Sequence, residues 1–278
     1  MLVRLTSALM VVALALLSLP VTVSASGMSI SIPSTMTLAT STVEVEFVVG
    51  VTCDDLNASD SGVYVHLTQA KSGATGSEST GPLVCDSTEH TYTLHVFADQ
   101  APFAPGAVAA SSNAVEYGQY NQTVTASGSA TVKLVQGQVD VPAAVTTPFT
   151  QNSYQVEIGS SGTLQYRYAQ GPGFGQATIP ITINCTLGPG GYSPYVTVDL
   201  EAAHGNGVAT GYSPQQFNDF PYPTCDGVAR TYYFRLALQA GINPGLSSVC
   251  VYVETWDYSP QWPTRNSDGV RTVTLTQG

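Results

Sequence analysis

Apolar and polar residues alternate strictly over two long runs of the chain. One places Val43, Val45, Phe47, Val49, Val51 and Cys53 on a single parity, and the other places Ala177, Ile179, Ile181, Ile183 and Cys185. A period of two marks a β-strand with one buried face, so each run predicts a strand that ends with its cysteine turned into a core. Downstream, Val63, Val65 and Leu67 correspond to Val196, Val198 and Leu200, and Tyr92, Leu94 and Val96 correspond to Tyr232, Phe234 and Leu236. Val, Ile, Thr and Tyr fall in short runs broken by Gly, Pro, Asn and Ser, and no long amphipathic helix is written anywhere. The predicted class is all-β.

The spacing of these runs is itself repeated. "CDSTEHTYTLHV", from Cys85, returns as "CDGVARTYYFRL", from Cys225; each is followed by a Pro-Gly turn, Pro105-Gly106 and Pro244-Gly245, and then by "ATVKL" or "RTVTL", ending at Leu134 and Leu275. Spacing kept so closely predicts one folding unit used twice, as tandem domains. The expected fold is two immunoglobulin-like β-sandwiches of about seven short strands each. The boundary is placed near Pro142, within "VQGQVDVPAAVTTPFTQ", which lacks a long alternating run. This gives domains at 26–141 and 142–278, the second opening with the extended "YQVEI" and "TLQYRY".

The amino-terminal residues read differently. Arg4, an apolar run from Ala8 to Leu19 and the small residues Val23-Ser24-Ala25 form a secretory signal peptide, residues 1–25, with removal expected after Ala25. The apolar run is shorter than the roughly 20 residues a membrane span needs, and no later segment is apolar enough for one. The expected product is secreted and extracellular, with no membrane span in the mature chain.

Charge narrows the partners. Charged residues are only 10% of the chain, with 19 acidic against 8 basic, a net charge of −11 that becomes −12 when Arg4 leaves with the leader. A polyanion needs basic contacts, and no basic run exists, so nucleic acid is excluded as an expected partner.

Five cysteines in an exported chain read as disulfides, Cys53 to Cys85 and Cys185 to Cys225, with Cys250 left as a free thiol. The alternation of Val249, Val251 and Val253 turns Cys250 to the opposite face, with Tyr252 and Glu254. A buried free thiol is expected there, and an intermolecular disulfide linking a dimer is its sharper alternative. Asp86 and Asp226 are expected to close turns by accepting backbone amides two residues on. Taken together, the alternating strand ending in Cys, the "CDS" or "CDG" step, the Pro-Gly turn and the closing Thr-Val-x-Leu resemble a family of secreted actinobacterial β-domains of unknown function, over Val43 to Leu134 and Ala177 to Leu275. The resemblance implies the fold and the exported location, and it carries over no catalytic residue.

Candidate chemistry is sparse. His66, His90, His95 and His204 have no metal-ligand spacing, and His95, between Leu94 and Val96, is expected to face outward from its strand, solvated or locally hydrogen-bonded rather than ligating a metal. Asp54, Asp55, Asn57 and Asp60 group oxygen atoms within 54–62, but an EF-hand fails there because Asp60 and His66 stand where glycine and glutamate are needed; no metal or cofactor is expected. The aromatic stretch from Glu254 to Gly269 holds Trp256, Tyr258 and Trp262 on a connection between strands, where rings can stack on sugars or enter protein pockets. The reading is a non-enzymatic interaction protein at the cell exterior, its partner a protein or a glycan. Its rivals are a glycan-binding module using those three rings and a hydrolase built on loops.

Overall fold

A computed structural model describes residues 21–25, 27–54, 60–118, 123–146, 151–166, 175–188, 195–204, 207–213, 223–238, 242–256 and 264–278. Every described element is a β-strand. The first nine are β1 (Val21–Ala25), β2 (Met28–Ile32), β3 (Thr35–Ala39), β4 (Glu44–Cys53), β5 (Asp60–Gln69), β6 (Ala74–Thr80), β7 (Glu89–Phe97), β8 (Gly106–Tyr117) and β9 (Thr123–Gly137). The next are β10 (Asp140–Val141), β11 (Ala143–Thr146), β12 (Ser153–Ile158), β13 (Ser161–Tyr166), β14 (Gly175–Thr186) and β15 (Tyr195–His204). The last are β16 (Gly207–Tyr212), β17 (Arg230–Leu238), β18 (Gly245–Trp256) and β19 (Thr264–Gln277). The alternation does what its period demands: Ala177, Ile179, Ile181, Ile183 and Cys185 of β14 are all buried, and so are Val45, Phe47, Val49, Val51 and Cys53 of β4.

The strands form two hydrogen-bonded sheets. In the first, the order is β1-β2-β4-β3-β9-β8-β5-β6, with β7 on β4. In the second, β10-β19-β18-β15-β16-β17-β14-β12-β11 is joined by β13, which pairs antiparallel with β14 and parallel with β19. Apart from β10 and the β16–β17 pairing, the strand neighbours of the second sheet recur in the first, so that β3 leaves β4 for a parallel ladder with β9 just as β13 leaves β14 for one with β19.

Closure separates the two sheets. In the second, Gly211↔Leu238 and Tyr212↔Ala237 join β16 to β17 and complete a seven-stranded barrel. In the first, β6 and β7 carry no ladder among the described residues, and the seam is spanned by the Asp99 amide donating to the Thr75 carbonyl at 2.8 Å. The first seam needs glycine, because a Cβ on Gly76 would sit 2.2 Å from the Phe97 carbonyl oxygen, whereas one on Gly211 at the second seam would meet only the end of the Leu238 side chain, at 2.7 Å. Each sheet encloses its own apolar cluster, one around Phe47, Leu67 and Leu134 and one around Phe234, Leu200 and Leu275.

Two local features go beyond the sequence pattern. Around Pro142, β10 pairs with β19 and β11 pairs with β12, so the second sheet begins ahead of "YQVEI". Residues Val21–Ala25, within the segment read as the leader, form β1 and pair antiparallel with β2.

Candidate functional site

The repeated Cys-Asp step resolves into identical local bonding. Disulfides join Cys53 to Cys85 and Cys185 to Cys225, closing separations of 32 and 40 residues. Closing loops of this size removes unfolded-state entropy worth roughly 3 to 4 kcal/mol each. Two residues past the second cysteine, the Ser87 amide donates to the Cys53 carbonyl and the Gly227 amide to the Cys185 carbonyl, both at 2.8 Å. Ser87 and Gly227 adopt left-handed backbone, with φ of 64° and 80°, to make that bond. The Tyr92 hydroxyl accepts the Val84 amide at 2.6 Å, and the Tyr232 hydroxyl accepts the Thr224 amide at 3.0 Å.

Both aspartates serve the same turn. Asp86 Oδ1 accepts the Thr88 amide at 3.0 Å and Asp226 Oδ1 accepts the Val228 amide at 3.1 Å, as the turn reading expects. The partner charge differs. Asp86 also takes the Thr88 hydroxyl and His90 Nε2, whereas Arg230 clasps both oxygens of Asp226. These donors hold each carboxyl down at about 2, chiefly through Thr88 and His90 in one case and Arg230 in the other. The Thr88 proton goes to Asp86, so this triangle contains no activated nucleophile.

The least expected chemistry lies where the two units meet. The outer face of β15, β18 and β19 sets Glu201, Ser248 and Thr272 in one cross-strand row and Asp199, Cys250 and Val270 in the next. Against it the first unit brings Ser41, Glu44 and His95. Glu44 Oε2 accepts the Ser248 hydroxyl at 2.6 Å, and Oε1 lies 3.0 Å from His95 Nδ1, within hydrogen-bond distance. Because Ser248 spends its proton on Glu44, the Ser41 hydroxyl donates to Ser248, at 2.6 Å. Beside this chain Ala39, Val139 and Val270 form an apolar cluster with Phe97, Val141 and Cys250 packed on it.

His95 takes the locally hydrogen-bonded form of its expectation and not the solvated one. It does point away from its own core, but the second unit covers it and leaves it 9% exposed. Alternation reports the face of a strand, and the partner surface decides whether that face is wet.

The junction is rich in acid. Burial, with Asp199, Asp99 and Glu44 nearby, pushes the Glu201 carboxyl up to about 8. Burial also raises Asp199, Glu78 and Asp268, the last partly relieved by His95. Cys250 is a free thiol in the same place, and burial among Asp268, Glu44, Asp199 and Glu78 lifts it well above the usual thiol range. A raised thiol is a poor nucleophile.

Of the recognition candidates, one falls in a described strand. Trp256 ends β18 and pairs with Thr264 of β19; Tyr258 and Trp262 lie outside the described residues, as do Asp55 and Asn57 of the oxygen-rich segment. The corresponding hairpin of the first unit ends the same way, with Tyr117 of β8 opposite Thr123 of β9 and 47% exposed. The spacing from the Pro-Gly turn is the same in both: Tyr117 and Trp256 are each the last residue of a 12-residue strand, beginning at Gly106 and Gly245 respectively. Counting from the Pro-Gly turns would have matched this pair from sequence.

Among the described residues, the hydrogen-bond partners of the histidines are Thr68, Asp86, Thr88, Glu44 and Asn243, and no serine hydroxyl is among them. The grouping of Cys53, Cys85 and Glu116 within 4.8 Å is no metal centre, because its sulfurs are bonded to each other. No described helix is long and apolar enough to cross a membrane.

No family model and no curated protein matches the chain. Among solved structures, it is similar to a Corynebacterium diphtheriae protein described as membrane anchored, at 12% identity and a TM-score of 0.24, over 91% of this chain and 59% of that one. The chain thus spans less than two thirds of that relative.

Proposed function

We propose that this is an exported, non-enzymatic interaction protein of the cell exterior, built from two tandem immunoglobulin-like modules that present aromatic hairpin tips to a protein or glycan partner. The observation that carries the reading is the matched placement of Tyr117 and Trp256 at the ends of equivalent hairpins, above scaffolds stapled by equivalent disulfides. Loops and hairpin ends on a rigid sandwich are free to recognise partners, and ring faces give large contact area at small entropic cost. The parallel β3–β9 and β13–β19 ladders support the immunoglobulin-like reading, since they connect the two faces of each unit in the same way. The disulfides support an oxidising compartment.

Titration of the chain lacking residues 1–25 with cell-wall fractions, read by tryptophan fluorescence and by retention on the fractions, tests the site. Saturable binding that Trp256→Ala together with Trp262→Ala abolishes is expected. Binding that survives the double substitution overturns the hairpin tip as the site. Purified polysaccharides in place of fractions separate the glycan partner from the protein one.

A further inference from the structure

We infer that β2 is a docking edge through which two copies of the mature chain pair, β2 against β2, to continue one sheet across a twofold axis. The inference rests on reading residues 1–25 as a removed leader. In the second unit the edge strand β12 is covered by β11, drawn from the segment after Pro142. In the first unit the same place beside β2 is taken by β1, Val21–Ala25, which leaves with the leader. The mature chain then begins immediately before β2, and among the described strands only β4 remains hydrogen-bonded to β2.

An uncovered edge is a template for another strand unless charge, proline or a bulge blocks it. Met28–Ile32 carries none of these; Met28, Ile30 and Ile32 are buried on the core side, and Ser29 and Ser31 lie on the other. By contrast β12, the covered counterpart, carries Glu157.

The choice of a second copy comes from the pattern of the strand itself. Met-Ser-Ile-Ser-Ile reads the same by polarity in both directions. An antiparallel pair centred on Ile30 therefore sets Met28 against the partner copy's Ile32 and Ser29 against its Ser31. This is the self-complementarity a twofold interface requires. The strand already accepts such a match, because β1 sets Val23 opposite Ile30 and Ser24 opposite Ser29. Backbone ladders supply affinity in such strand additions and the alternating side chains supply register.

Sedimentation of the chain beginning at Ser26, in a Cys250→Ser background to exclude a disulfide-linked dimer, reads the outcome. A doubling of mass is expected, lost in a chain beginning at Val21 and lost in Ser29→Lys with an unchanged melting temperature. A monomer from Ser26 overturns the pairing, and a heterologous protein held by that monomer and released by Ser29→Lys would replace the second copy as occupant. A dimer that persists in Ser29→Lys or in the Val21 chain overturns β2 as the surface. Mass spectrometry of the exported protein tests the leader separately: residues 21–25 retained there would leave the edge covered in the cell, whatever the Ser26 chain does.

Discussion

Ser248 of the second unit donates a 2.6 Å hydrogen bond to Glu44 of the first, and neither side chain has any exposure. A carboxylate so placed is tolerated because its oxygens are filled, one by Ser248 and one by His95. Removing a donor leaves buried charge partly unpaired, which costs more than the bond itself contributes. Ser248→Ala is therefore expected to destabilise the chain by about 1 to 3 kcal/mol. In a double-mutant cycle with Glu44→Gln, denaturant unfolding should return coupling above about 0.5 kcal/mol. Additive effects would mean that the bond does not tie the units.

Acidity at the junction gives stability a direction in pH. The Glu201 carboxyl rises to about 8 on folding from an ordinary value near 4.5, so the native state binds more protons than the unfolded chain between those values. Stability then falls as pH rises through that window and levels above it. Asp199, Asp268 and Glu78 act with the same sign. Asp86 and Asp226, held at about 2, act oppositely and lose their contribution only below about pH 4. Melting temperature should peak near pH 4 to 5 and decline toward pH 8. Glu201→Gln should flatten that decline, adding on the order of 2 kcal/mol at pH 8; an unchanged slope would remove Glu201 from its cause.

Backbone handedness distinguishes the two Cys-Asp turns. Gly227 and Ser87 hold the same left-handed conformation, and a Cβ on Gly227 would meet Thr186 at 3.3 Å. Gly227→Ala should cost about 1 kcal/mol, whereas Ser87→Gly should be neutral or slightly stabilising. Equal losses in urea unfolding would contradict the shared geometry.

Cys250 offers a clock for opening of the junction. Its raised thiol and its packing against Val270 and Ala39 predict alkylation at pH 8 at least about tenfold slower than in denaturant. Ser248→Ala should speed the reaction. Immediate labelling of the native chain would place the thiol in solvent.

Much of the fold was legible in local pattern. The parity of Val43 to Cys53 and of Ala177 to Cys185 named two buried strands, and the matched spacings paired the cysteines correctly and placed Asp86 and Asp226 in turns. These are short-range facts, because the period of a strand and the chemistry of a turn are fixed by neighbouring residues. What covers a face is not short-range. Glu44 meets a serine 204 residues away, so the burial of His95, the acid-lined junction and the shelter of Cys250 followed only once the two units were docked. Closure was likewise decided in three dimensions, by two residue pairs between β16 and β17. The chain wrote which side of each strand is apolar; packing in three dimensions determined which polar sides lost their water.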